Sequence, residues 1–148
     1  MRKLFSTPND WILTLIRVVF GIVFFAHGAQ KALGWFGGLG YSAHVQIFTH
    51  VMHIPWIFAN LAIAAEFLGG LGLILGALTR VAAFGISVEM IVAVLMVHIN
   101  NGFFMNWAGQ KKGEGFEYHL LALAIAVLLM VRGGGAFSVD RALSPESK

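Results

Sequence analysis

The chain has 148 residues, of which 58% are hydrophobic and only 11% are charged, and its formal net charge is +3. Globular chains are typically about 45 to 50% apolar and about 25% charged, so this composition predicts a protein whose solvent is lipid. The ten lysines and arginines are scattered along the chain, which argues against nucleic acid as a partner. Cysteine is absent, which excludes disulfides, thiolate nucleophiles and cysteine-ligated metal or iron–sulfur centres.

Four apolar segments are predicted to cross the membrane as helices, over residues 11–34, 56–78, 81–99 and 116–132. The first three approach the roughly 20 residues that span the hydrocarbon core, and the fourth is short. The N-terminus resembles a signal peptide, but Arg17 interrupts its apolar run and three apolar segments follow, so we predict an uncleaved first span. The expected fold is an all-α integral membrane four-helix bundle that forms a single domain over residues 1–148.

The connecting segments have distinct patterns. Between spans one and two, Tyr41, Phe48 and Val51 or Met52 fall near one helical face, which predicts a short interfacial helix. The connection between spans two and three has only a few residues, so those helices are predicted to be antiparallel neighbours. The tail, residues 138–148, is expected to be loose.

The distribution of basic residues predicts the topology. Cytoplasmic loops of membrane proteins carry an excess of lysine and arginine, and an even number of spans places both termini on one side. The terminal side holds six basic residues and the opposite side three, so both termini are predicted to be cytoplasmic. These are Arg2, Lys3, Arg80, Arg132, Arg141 and Lys148 against Lys31, Lys111 and Lys112.

Three charged residues lie inside the predicted spans, namely Arg17, Glu66 and Glu89. An ionisable group in a span costs at least a few kcal/mol unless it finds a partner or water, so we predict a buried charge network in which Arg17 pairs with one or both glutamates. Such a pair alone could serve only to fix helix register. One arginine cannot neutralise two glutamates, however, which leaves one carboxyl group for a proton, a ligand or a partner.

Glycines on two of the spans indicate where these helices meet. On span one, Gly21 and Gly28 lie in the same narrow sector as Arg17, and span two carries Gly69, Gly70 and Gly76. Glycine lets membrane helices approach closely, so the two glycine faces are predicted to be in contact.

A polar pocket is predicted at the outer ends of spans one, three and four. Histidines and other polar residues collect there, although histidines bound to headgroups and loop carbonyls would give the same pattern. No metal site is predicted, because His44, His50 and His53 have no carboxylate or cysteine nearby in the sequence. The predicted pocket residues are His27, Gln30, Lys31, His98, Glu117 and His119.

Several segments together resemble the DoxX family of small bacterial four-span membrane proteins. They are "HGAQKALGWFGG" in span one, "EFLGGLGLILGALTR" in span two, the glutamate and histidine of span three, and "EYHLLALAIAVLLM" continuing to "GGGAFSVDR". The resemblance implies a location in the bacterial inner membrane and a role as an oxidoreductase or as a membrane subunit of an oxidoreductase assembly.

The resemblance and the residues together indicate a quinone-linked or stress-related oxidoreductase subunit. A quinone needs an apolar slot, donors at its carbonyl oxygens and a protonatable carboxylate, which the apolar spans and their polar residues can provide. Quinone is the one cofactor proposed, since nothing in the sequence supports a haem between His27 and His98. The catalytic residues stay undefined, and a partner protein would hold the catalytic centre. A homo-oligomer is also open. The alternatives are a non-catalytic membrane scaffold or assembly factor, and a carrier of a small acid or ion.

Overall fold

The computed structural model describes residues 2–144, with side chains from residue 4 onward. All regular structure within these residues is helical, which confirms the predicted all-α membrane class. Three helical segments, Trp11–Leu33, Trp56–Leu75 and Thr79–Asn101, are long and apolar enough to cross a membrane. The α-helices are α1 (Arg2–Phe5), α2 (Trp11–Leu33), α3 (Tyr41–Gln46), α4 (Trp56–Leu75), α5 (Thr79–Ala93), α6 (Glu117–Arg132) and α7 (Val139–Ala142).

The third and fourth predicted spans differ in length. Beyond Ala93, α5 continues through a π-helical turn, Val94–His98, and a 3-10 turn, Ile99–Asn101. The fourth span corresponds to α6, which has 16 residues and packs against α5. Because 16 residues are fewer than the roughly 20 that cross the hydrocarbon core unaided, the four-span topology stays a prediction.

Local sequence sets the ends of the long helices. The Asp10 carboxylate accepts hydrogen bonds from the backbone N–H groups of Ile12 and Leu13, at 2.9 and 3.1 Å, and so caps the start of α2. At the other end of α2, Gly34 has a φ of +73°, and Gly76 ends α4 with a φ of +69°. This left-handed conformation is common just after a helix and favours glycine.

Helices α2 and α4 cross at glycines in a constant antiparallel register. Gly28 meets the backbone of Phe67, Gly70 meets that of Phe25, and a Cβ on Gly21 would lie 2.8 Å from the Ile74 nitrogen. Each step toward the start of α2 is therefore matched by an equal step toward the end of α4. The predicted contact between the two glycine faces is confirmed for Gly70 and Gly76, whereas Gly69 faces Ala82 and Ile86 of α5.

The bundle has a small core and a wide apolar exterior. Phe20 and Phe24 of α2 pack with residues of α4, α5 and α6, including Leu73, Ile86 and Leu129. Large apolar side chains on the outer surface are more than half exposed in the isolated chain, as expected for helices that face lipid tails. They include Trp11, Leu15, Val19, Leu61, Leu68, Phe84 and Val131.

Two connecting segments bear on the sequence predictions. The helix expected between spans one and two is present as α3, which continues into a π-helical turn over Ile47–Val51. The expectation of a loose tail is wrong for residues 138–144, where Ser138 caps α7 and Asp140 is buried. The rest of the predicted tail, residues 145–148, lies outside the described residues.

Candidate functional site

Arg17 lies at the end of the molecule formed by the start of α2, the end of α4 and the tail. Its side chain is 1% exposed, and Nη2 donates a hydrogen bond of 2.6 Å to the backbone oxygen of Phe137. The guanidinium packs where a Cβ of Gly76 would lie, so only glycine fits there. The prediction that Arg17 pairs with Glu66 or Glu89 is wrong.

The register of α2 and α4 gives the physical reason. Because Gly28 meets Phe67, Glu66 lies close to the level of Ala29, which is 12 residues along α2 from Arg17. At about 1.5 Å per residue this separation is roughly 18 Å, well beyond the reach of an arginine side chain.

Asp140 completes the packing around Arg17. Its carboxylate accepts hydrogen bonds of 2.8 Å from the backbone N–H groups of both Leu78 and Thr79, at the start of α5, and its charge also acts on Arg17. A tail residue thus caps a helix that begins some 60 positions earlier. We call Arg17, Gly76, Thr79, Asp140 and the Phe137 carbonyl group the tail junction.

At the other end of α2, Lys31 forms an ion pair with Glu66. The Glu66 side chain is 5% exposed and that of Lys31 is 20% exposed, so the pair is largely shielded. Glu89 of α5 carries a second carboxyl group that faces the same cavity as the ion pair. One ammonium group balances one carboxylate, so the second carboxyl group is the candidate to hold a proton. We call Lys31, Glu66 and Glu89 the charge cluster.

The charge cluster faces a cavity of about 440 Å³, within the range of small-molecule sites. Its walls are largely apolar, with Phe24 and Met90 from the core and Phe48 and Met52 from the segment after α3. One oxygen of Glu89, Oε2, is buried and has no hydrogen-bond partner among the described residues. The polar side chains on the cavity are His27, Lys31, Glu66, Glu89, His98, Glu114, Tyr118 and His119.

Two histidines lie ring to ring on one wall of this cavity. The ring centroids of His98 and His119 are 4.1 Å apart. The Nδ1 atom of His98 lies 2.8 Å from the backbone oxygen of Glu114, and because a carbonyl oxygen only accepts, this nitrogen carries the hydrogen. His98 Nε2 is therefore the free acceptor when the ring is neutral. His119 Nδ1 is buried without a hydrogen-bond partner among the described residues.

The predicted pocket residues are only partly brought together. His27, Lys31, His98 and His119 line the cavity, whereas Gln30 and Glu117 do not. Gln30 donates a hydrogen bond of 3.3 Å to the Phe36 backbone oxygen. Glu117 accepts hydrogen bonds from Met105 N and Trp107 Nε1, so it holds the loop before α6.

Sequence reasoning missed two polar members of the cavity, Tyr118 and Glu114, and the pairing of Lys31. Tyr118 immediately precedes His119, one of the predicted pocket residues. Lys31 was predicted to lie in the pocket, but its pairing with Glu66 was not predicted. The spacing from Gly28 to Lys31, a little under one helical turn, was the available signal, since a glycine contact with α4 brings the next turn close to that helix.

Comparison with known sequences places this site in a family. The DoxX family model matches residues 12–99, which include α2, α4, α5 and all three members of the charge cluster. The chain belongs to the DoxX family.

Two curated proteins are similar to this chain. The inner membrane protein YqjF of Escherichia coli is 30% identical over 145 residues, which cover 97% of this chain and 98% of that protein. A Bacillus subtilis protein named "Putative oxidoreductase CatD" is 28% identical over 115 residues, which cover 78% of this chain and 75% of that protein. No solved structure matches the chain.

Proposed function

We propose that the protein is the quinone-binding membrane subunit of an oxidoreductase assembly. The observation that carries this proposal is the largely apolar cavity that holds an ion pair, a second carboxyl group and two adjoining histidines inside a bundle whose exterior is lipid-facing. Polar and ionisable groups at membrane depth are costly and usually mark a functional site.

The chemistry of the cavity fits a quinone ring. The ring is apolar and packs against side chains such as Phe24 and Met90, while its two carbonyl oxygens accept hydrogen bonds. The Lys31 ammonium group has three N–H donors, one of which Glu66 takes, so two remain for a ligand. Glu89 adds a second carboxyl group to the same cavity, and a protonated carboxyl group can donate to a reduced quinone oxygen.

The electrons come from a partner in this proposal. Reduction of a quinone to a quinol consumes two electrons and two protons, and the chain has no cysteine that could form a redox-active thiol pair. A partner redox protein therefore supplies the electrons, and the charge cluster transfers protons. The similarity to CatD, whose name describes an oxidoreductase, supports the same class of function.

The proposed location is the bacterial inner membrane, with both termini in the cytoplasm. Membership of a membrane-protein family and the similarity to inner membrane protein YqjF support the location. The distribution of basic residues supports the orientation. In this orientation the cavity lies near the outer surface and the tail junction near the cytoplasmic surface.

Binding of a short-chain, water-soluble benzoquinone to the purified protein in lipid nanodiscs tests this function. Calorimetric titration should show one site per chain, and Lys31→Met should weaken binding at least tenfold because the donors to the ring oxygen are lost. Lys112→Met is the matched control, since Lys112 is an exposed loop residue away from the cavity, and it should bind as the unchanged protein does.

The alternative functions give different results in parallel measurements. A scaffold would retain a protein partner after mild-detergent extraction but would not bind quinone. A carrier would take up a small acid or ion in proteoliposomes in a way that depends on Lys31. Absence of quinone binding in the unchanged protein would reject the proposed function.

A further inference from the structure

A lateral groove runs between α4 and α5 on the lipid-facing side of the bundle. Its volume is about 790 Å³ and its lining is almost wholly apolar. Small residues from both helices form its floor, where a Cβ on Gly85 would lie 3.4 Å from the Cβ of Ala65. Phe58 and Phe84 form its rim and are 59% and 61% exposed. The groove is thus open to lipid along its length.

The lateral groove and the cavity are continuous. Four residues line both spaces, and they come from the first half of α4, from the last third of α5 and from the segment between α3 and α4. Glu89 is one of them, so the carboxyl group of the charge cluster stands at the boundary between the two spaces. The shared residues are Ile54, Ala62, Glu89 and Val92.

We propose that cavity and groove are one binding site for a substrate with a polar ring and a long apolar chain, the ring in the cavity and the isoprenoid chain of the quinone in the lateral groove. The inference rests on the proposed function for the identity of the ring. It adds that the substrate enters from the bilayer between α4 and α5, and that the small residues of these helices determine whether a chain-bearing quinone fits.

Steric fit is the basis of this selectivity. Lipid tails are as apolar as the groove, so the chain gains no hydrophobic free energy by leaving the bilayer. Its path still matters, because a chain that cannot follow the groove must leave through the other side of the cavity. The cavity lining also includes exposed polar residues, His27 of α2 and Glu114 in the loop before α6. Exposing an isoprenoid chain to water beside these residues is unfavourable.

Small-to-large substitutions in the groove test the proposal. Ala65→Leu and Ala64→Leu each place a larger side chain in the groove, and neither residue lines the cavity. We expect each variant in nanodiscs to bind a quinone carrying a long isoprenoid chain at least tenfold more weakly, while binding of the short-chain benzoquinone is unchanged. Ala124→Leu, the same change on the exposed face of α6, should affect neither ligand.

The results separate this inference from the proposed function. Unchanged binding of the short-chain quinone in the groove variants shows that the cavity is intact and the chain folded. If both groove variants bind the long-chain quinone as the unchanged protein does, the groove holds only bulk lipid and the inference is wrong. If they instead dissociate an oligomer, the groove is occupied by a second copy of the chain, which also overturns it. Failure of the unchanged protein to bind even the short-chain quinone rejects the proposed function itself.

Discussion

The two ends of α2 each carry a buried basic residue, and the two residues have different surroundings. Arg17 at the tail junction is packed against Gly76, donates to a backbone oxygen and lies near the charge of Asp140. Lys31 forms an ion pair with Glu66, next to a second carboxyl group and beside an open cavity. Arg17 is enclosed by protein, with Nε and Nη1 buried and without a hydrogen-bond partner among the described residues, whereas Lys31 faces a cavity that a ligand can enter.

The largest expected effect is the loss of the carboxylate at the tail junction. Asp140→Ala removes two hydrogen bonds to the start of α5 and the acidic residue whose charge acts on Arg17. Hydrogen bonds to a charged group contribute about 1.5 to 3 kcal/mol each, so we expect the free energy of unfolding to fall by about 3 to 6 kcal/mol. Denaturation in detergent micelles measures it. Asp140→Asn keeps one acceptor and should lose less; equal stability of Asp140→Ala and the unchanged protein would contradict the structural role.

A slightly smaller effect is expected for Gly76→Ala. The added Cβ would overlap the Arg17 guanidinium, and the residue has a φ of +69°, so both overpacking and backbone strain contribute, together about 3 kcal/mol. Gly37→Ala is the control, because Gly37 has a φ of +77° but open space around it. It should lose only the backbone contribution, about 1 kcal/mol. Similar losses at both glycines would show that Arg17 is not tightly packed.

Substitutions of Lys31 and Glu66 should be coupled in their effect on the free energy of unfolding, whereas substitutions of Arg17 and Glu66 should not. Lys31→Met leaves Glu66 buried and unpaired, at a cost of about 1 to 3 kcal/mol, and adding Glu66→Gln should recover part of the loss. The double-mutant cycle should give a coupling free energy of at least about 1 kcal/mol. In contrast, Arg17→Leu and Glu66→Gln should be additive within about 0.5 kcal/mol, because they lie roughly 18 Å apart along the helix.

Glu89→Gln should change function more than stability. Glutamine keeps the size of the side chain and an oxygen that accepts hydrogen bonds, so we expect a change below about 0.5 kcal/mol in the free energy of unfolding. Binding of short-chain quinone should still fall, since the replaced carboxyl group faces the cavity. Glu117→Gln is the control, because Glu117 does not line the cavity. A large loss of stability would show that Glu89 has a structural role.

The smallest perturbation is a set of single cysteines, for which the cysteine-free chain is a ready background. Cysteines at positions 27 and 98 line the cavity and should be labelled by a membrane-impermeant thiol reagent from outside. Bound short-chain quinone should slow this labelling several-fold. A cysteine in place of Gln30 should be labelled without protection, because that residue does not line the cavity. Labelling from the cytoplasmic side alone would reverse the proposed orientation.

The spans and their contact face were predictable because hydropathy and helical periodicity are local properties. Gly21 and Gly28 on one helix and Gly70 on the other identify the α2 and α4 interface directly. The partner of Arg17 was not predictable in the same way, because hydropathy does not show how far one helix is shifted along its neighbour. In the structure Arg17 lies level with residue 78, beyond the end of α4 at Leu75. The glycine register is the more accurate measure.

The cavity was predictable only in outline. The histidines near the ends of the spans indicated polar surroundings, and His27, His98 and His119 do line one cavity. Their distribution could not show that Glu117 accepts a hydrogen bond from the loop before α6, because the donor is a backbone N–H group of that loop. The tail was expected to be loose because its composition is polar. Asp140 is buried because it accepts hydrogen bonds from backbone N–H groups at the start of α5, which lies far from it in sequence.

The cap that Asp140 provides also has a consequence for biosynthesis. The carboxylate is made 62 residues after Leu78, the first residue whose backbone N–H it binds. At about 5 to 20 residues per second, the ribosome takes roughly 3 to 12 s to add that length. During that interval the two backbone N–H groups at the start of α5 lack the acceptor that Asp140 provides. We therefore expect a chain that stops before Asp140 to have a less stable start of α5.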